Sequence, residues 1–217
     1  MTLQAILVPA KREPAKGLLV GLHGWGASGQ DVAAVAAYLN LPNYQFAFPD
    51  APFPFPYGGA GRVWYNFPAN YSFASSSDFA KNAELQASRQ QLTDWLRSLE
   101  SQTGVPLSRT VLAGFSQGGA MTLDIGLQLP LAAIMILSGY LHAPIDLPQP
   151  IDAAKLPQVV IMHGRSDQVV PLRAAHQARD RLTELGIPVA YEELTMGHEI
   201  SMSVLSRMQS FIEDKLE

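Results

Sequence analysis

The hexapeptide GFSQGG, residues 114–119, sets one serine between glycines, after an apolar run at 110–115 and before a helical pattern at 118–129. Gly114 and Gly118 leave room for a tight strand-to-helix turn in which Ser116 takes an unfavourable backbone conformation, the arrangement of a nucleophile elbow. The helix that follows points its positive end and its unpaired N–H groups at the serine, where they can face a developing oxyanion. The backbone N–H of Gln117 is the first of these donors. A serine hydroxyl is a weak nucleophile near neutrality and needs a base, usually a histidine oriented by a carboxylate.

In such a turn-based site the chain order is serine, acid, histidine. Of five histidines, His23, His142 and His163 precede a plausible acid or sit in strands, and His176 lies in a helical pattern among Ala174, Ala175 and Ala178. His198, in LTMGHEIS between the last apolar run and the last helical stripe, is the candidate base. Asp146 and Asp152 fall in a proline-rich connection and Asp180 in a helix. Asp167, in HGRSDQVVP, follows an apolar run, with Gly164 permitting the turn and Pro171 opening the next helix; it is the candidate acid. A second oxyanion donor is expected from the loop after an early strand. LLVGLHGWGASGQ supplies the main-chain N–H of Trp25 between two glycines, and the indole of Trp25 can wall the pocket.

The elements that must hold these residues are legible as alternation. Continuous apolar runs at 18–22, 44–48, 110–115, 132–137, 158–162 and 188–194 predict strands covered on both faces. Helical patterns between them fall at 31–39, on a face marked by Leu85, Leu92, Leu96 and Leu99, at 118–129, at 172–185, and on a last stripe of Val204, Met208, Phe211 and Ile212. Strand–helix alternation implies a doubly wound, mostly parallel α/β sheet with helices on both faces, and sites in such sheets gather at the carboxyl ends of the strands. The 217 residues fit a single domain, 1–217. Residues 44–79 carry 12 of the 19 aromatic side chains, interrupted by prolines, and this loop is expected either to act as a lid or binding wall or to cover the sheet edge.

Composition narrows the partners. With 15 Lys and Arg scattered along a chain of net charge -4, no basic stripe is available for a phosphate backbone, so nucleic acid is not an expected partner. The absence of cysteine removes disulfides, thiolate nucleophiles and thiolate metal sites, and no His-x-x-x-His pair occurs, so neither a metal nor another cofactor is expected. The longest apolar stretch, 131–137, is too short to span a bilayer, and the amino terminus lacks a secretory leader. A cytoplasmic location is expected.

Read together, LHGWG, FPDAP, RVWYN, GFSQGG, HGRSDQVVPL and MGH occur in an order that resembles the phospholipase/carboxylesterase family of α/β-hydrolases, which includes acyl-protein thioesterases and lysophospholipases. The resemblance runs from Leu22 to His198. It implies the α/β-hydrolase fold without a large cap domain, Ser116 as nucleophile, Asp167 as orienting acid, His198 as base, and the N–H groups of Trp25 and Gln117 as the oxyanion hole. Trp25, Trp64 and Tyr65 are expected to bind substrate; Trp25 stands where family members usually carry a leucine, and WYN replaces the commoner WYD. The implied activity is hydrolysis of a carboxylic ester or thioester through an acyl-enzyme, on a small or lipid acyl ester or an S-acylated protein. The alternatives are a peptidase or amidase using the same triad and an inactive acyl-binding module. Exposed aromatics of the loop could serve a homodimer as readily as a substrate.

Overall fold

The computed structural model describes residues 3–68, 71, 73, 79–142, 145, 147 and 152–216. Along these residues run β1 (Ala5–Val8), β2 (Gly17–Leu22), α1 (Gly29–Ala36), β3 (Tyr44–Pro49), β4 (Phe53–Pro54), β5 (Arg62–Val63), α2 (Ala83–Thr103), β6 (Thr110–Phe115), α3 (Gln117–Gly126), β7 (Ala133–Leu137), β8 (Gln158–Gly164), α4 (Leu172–Glu184), β9 (Val189–Leu194) and α5 (Met202–Leu216). Seven strands form one sheet in the order β1-β3-β2-β6-β7-β8-β9, and only β1 runs antiparallel to its neighbour. β4 and β5 pair as a separate short hairpin.

All six apolar runs are strands of this sheet. Successive side chains point to opposite faces, so each run feeds two cores at once. Leu18, Val20, Leu22, Leu112, Ile134, Ile136 and Ile161 pack with α2, α3 and α4, whereas Leu19, Val111, Ala113, Met135, Val160 and Met162 pack with α1 and α5. Leu85, Leu92, Leu96 and Leu99 of α2 are fully buried, each contributing roughly 1.5–3 kcal/mol. In α5 the buried stripe is Val204, Leu205, Met208 and Ile212; Phe211, counted in the sequence pattern, is only partly covered.

Element ends depart from the sequence pattern for local reasons. Asp31 Oδ2 accepts both the backbone N–H and the hydroxyl of Ser28, at 2.9 and 2.8 Å, which starts α1 two residues before the expected Asp31. The same helix ends at Ala36 instead of Leu39 because Tyr38 and Leu39 donate to Val35 and Ala36, the tighter three-residue step. α3 stops at Gly126 in the same manner, with Gln128 and Leu129 bonded to Ile125 and Gly126 before Pro130. β1 carries no sequence signal of its own, since it is four residues long and holds Leu7 and Val8 largely exposed at the sheet edge.

Much of the aromatic loop is fastened to the body. Arg62 exchanges backbone bonds with Gly26 and Ala27 at 2.9 and 2.8 Å, and its guanidinium donates to the carbonyls of Ala51 and Pro52. Asn66 N–H donates to Glu84 Oε2 at 2.7 Å. Residues 69–70, 72 and 74–78 of the expected lid lie outside the described residues. Among the described residues no helix is long and apolar enough to cross a membrane.

Candidate active site

Ser116 sits at the junction of β6 and α3 with φ 54° and ψ -116°, a conformation that L-residues rarely adopt. Backbone bonds hold it there: Ser116 N–H donates to Leu137 O of β7 at 2.9 Å, and Ser116 O accepts from Ala120 N–H at 3.0 Å. The flanking glycines are steric requirements. A Cβ on Gly114 would strike the Gly118 carbonyl, and one on Gly118 would strike the carbonyls of Leu22 and His23.

The loops after β8 and β9 bring the other two candidates to the same rim. His198 Nε2 is 3.0 Å from Ser116 Oγ, and His198 Nδ1 is 2.7 Å from Asp167 Oδ2. The carboxylate is buried, and its other oxygen accepts the backbone N–H groups of Val169 and Val170 at 2.9 and 2.8 Å. The Phe115 ring packs on the imidazole of His198 at 4.7 Å between centroids. This contact path can carry a proton from hydroxyl to imidazole and stabilise the imidazolium on a fixed carboxylate.

The turn 24–27 lies beside the serine, for a Cβ on Gly24 would stand 3.4 Å from Ser116 Cβ. Gly26 N–H donates to Arg62 O and Ala27 N–H to Gly24 O. Gln117 opens α3, where an N–H has no intrahelical partner. Trp25, 37% exposed, meets Phe55, Tyr57 and Phe67 edge-on at 4.8, 5.9 and 5.9 Å, making an aromatic rim beside the serine turn.

Trp64 and Tyr65 differ from expectation. Both side chains are fully buried and form the backing of the site instead of a wall open to substrate. Their polar tips find partners inside: Trp64 Nε1–H donates to His23 O at 3.0 Å, and Tyr65 OH lies 2.6 Å from Tyr140 OH and 3.0 Å from His142 Nδ1. Burial pushes both phenols well above the ordinary tyrosine range, so they remain neutral.

The histidines and acids set aside in the sequence also have assigned places. His176 in α4 is 2.8 Å from Glu193 Oε1, while Asp152 and Asp180 pair with Lys155 and Arg179. Asp146 lies outside the described residues. His163, at the end of β8, is 2.8 Å from Val170 O and braces the loop that carries Asp167.

Two features have no local sequence signal. The Gln117 side chain clamps the backbone of the aromatic loop, accepting from Trp64 N–H at 3.0 Å and donating to Tyr65 O at 2.7 Å. Behind it, Asp124 of α3 lies between Arg89 of α2 and His142.

The phospholipase/carboxylesterase family matches residues 3–216. Lysophospholipase-like protein 1 of Mus musculus is 27% identical over 227 residues, covering 98% of this chain and 92% of that protein. Acyl-protein thioesterase 1 of Neurospora crassa is 28% identical over 229 residues, covering 97% and 91%. Among solved structures, esterase PE8 superposes with a TM-score of 0.84 at 30% identity, each chain covered to 100%. With the serine turn, the acid loop and the histidine loop all inside a match of this extent, the chain belongs to the phospholipase/carboxylesterase family and is a carboxylic ester hydrolase of the α/β-hydrolase fold.

Proposed function

We propose that the protein cleaves carboxylic esters or thioesters through an acyl-enzyme on Ser116. His198 Nε2 takes the hydroxyl proton as Oγ attacks the acyl carbon, and Asp167 holds the imidazole and the positive charge it acquires. The oxyanion is received by the N–H groups of Trp25 and Gln117. Collapse of this intermediate expels the alcohol or thiol, which leaves with the proton from His198. Water then repeats the sequence and releases the carboxylic acid. The single observation that supports the reading most is the unbroken contact from Ser116 Oγ through His198 to Asp167, at 3.0 and 2.7 Å.

The substrate class within this reading is an acyl ester or an S-acylated protein. The rim of Trp25, Phe55, Tyr57 and Phe67 supports an apolar acyl group, each buried methylene adding about 0.8 kcal/mol. The similarity to a protein named acyl-protein thioesterase 1 supports the thioester arm, and the cysteine-free sequence supports a cytoplasmic site of action. A Ser116→Ala variant assayed on p-nitrophenyl acyl esters and on acyl thioesters tests the proposal. Turnover falls by about 10⁴ or more with the fold intact. Near wild-type turnover by that variant would end it.

A further inference from the structure

The turn 24–27 carries one of the proposed oxyanion donors, and a buried ring governs how that turn is set. His23 is 0% exposed. Its Nε2 accepts the Ala51 backbone N–H at 3.0 Å; a backbone N–H can only donate, so this nitrogen bears no proton. Nδ1 therefore holds the proton of the neutral ring and donates it to the Gly24 carbonyl at 2.7 Å. The Gly24–Trp25 peptide is trans, since the one cis bond among the described residues is Glu13–Pro14. In a trans peptide the C=O and N–H point in opposite directions, so a ring that grips the carbonyl aims the Trp25 N–H away from itself. Among the described residues the same carbonyl receives one further bond, the longer 3.2 Å bond from Ala27 N–H.

We propose that His23 is a positioning residue for acyl transfer: as the Nδ1–H tautomer it locks the Gly24–Trp25 peptide so that the Trp25 N–H faces the oxyanion formed at Ser116. This rests on the hydrolase reading above. Burial keeps the ring neutral, outweighing the Gly24 bond and the nearby Asp50 and Asp31 carboxylates that favour a second proton; Arg62 acts with burial. The Trp64 ring covers His23 at 5.5 Å between centroids. A proton donated to the Gly24 carbonyl also polarises the peptide and strengthens its N–H as a donor.

Two substitutions separate the two arms of the ring. Asparagine sets its amide nitrogen near the place of Nδ1, and glutamine sets its amide near that of Nε2. His23→Asn thus keeps a donor for Gly24, whereas His23→Gln keeps only a partner for Ala51. Since a lost oxyanion donor costs about 10²–10³ in kcat, His23→Gln is expected to lose about 10² in kcat and His23→Asn less than about fivefold, with KM little changed in both. Equal kcat in the two variants, or a loss confined to KM, overturns the proposal.

Should either variant fail to fold, the wild-type ring decides. Nitrogen-15 NMR at neutral pH is expected to show a protonated Nδ1 and a bare Nε2, and the opposite tautomer or an imidazolium overturns the proposal. Ser116→Ala and fluorophosphonate labelling run alongside separate the two readings. A wild-type protein that neither labels nor hydrolyses removes both; Ser116-dependent hydrolysis indifferent to His23 removes only the role of the ring.

Discussion

The Arg89 guanidinium of α2 grips the Asp124 carboxylate of α3 with two arms, Nε to Oδ2 at 2.5 Å and an Nη to Oδ1 at 2.8 Å. His142 Nε2 lies 3.1 Å from the same Oδ2, and the Asp124 side chain is only 10% exposed. The pair thus pins the helix that begins at the serine turn to the longest helix of the fold. Asp124→Ala leaves the guanidinium, itself 26% exposed, without its partner and is expected to lower the unfolding free energy by about 1–3 kcal/mol, more than an exposed pair would cost. Urea denaturation measures it, and a loss under about 1 kcal/mol would make the contact an ordinary surface pair.

Stability is expected to decline on the acid side in two steps. Burial lowers His23 and His163 below the ordinary value of 6.5, so as pH falls past 6.5 the unfolded chain takes up protons that the folded chain refuses. Their contribution is present above that pH and is lost below it, at up to about 1.4 kcal/mol per pH unit for each ring. Burial alone would raise Asp124, but the contacts with His142 and Arg89 prevail and hold it below 3.8. Its contribution is present above that value and disappears as pH falls further. Denaturation midpoints between pH 8 and 3 test this, and a flat profile from about pH 7 to 5 would refute the first step.

The serine turn stores strain that glycine would release. Ser116→Gly accepts φ 54° without penalty, whereas Ser116→Ala keeps it. Both are expected to be inactive, and the glycine variant is expected to exceed the alanine variant by about 1 kcal/mol, a melting point a few degrees higher. Equal melting points in calorimetry would show an unstrained turn.

Asp167→Asn sets the amide carbonyl against the N–H groups of Val169 and Val170, which leaves the NH₂ facing His198 Nδ1. A donor there forces Nδ1 to accept, and the ring proton moves to Nε2, where it blocks uptake of the serine proton. kcat is expected to drop by about 10⁴ with KM little altered. A loss below tenfold in steady-state assays would mean that the carboxylate does not set the tautomer.

Gln117→Ala keeps the backbone N–H but withdraws both partners from the Trp64–Tyr65 backbone. Each buried group left unpaired costs about 1–3 kcal/mol. Hydrogen exchange is expected to quicken at Trp64 and its neighbours while fluorophosphonate labelling of Ser116 persists. Unchanged exchange there would show that the clamp is dispensable.

The candidate triad was legible because each member sits directly after an apolar run, where a parallel sheet exposes its loops. Ser116 also stands among turn-forming glycines, Asp167 lies three residues after Gly164, and His198 directly follows Gly197. Trp64 and Tyr65 misled because an aromatic in a long loop looks like a binding wall; their indole and phenol partners, His23 O and Tyr140, are 41 and 75 residues away. Arg89 and Asp124 are 35 apart on different helices, a distance no periodicity encodes. His23 was passed over for the same reason: its chemistry lies in which carbonyl its ring touches, and the sequence shows only a histidine at a strand end.

Gly118 has wider consequences. With bare backbone of α3 pressed on the carbonyls of Leu22 and His23, the gap between the serine turn and the end of β2 that leads into the turn 24–27 is defined main chain to main chain. Substitutions absorbed elsewhere by repacking have nothing to adjust at this seam. The surrounding cores can repack, while the spacing across this seam of the candidate site stays a fixed dimension of the scaffold.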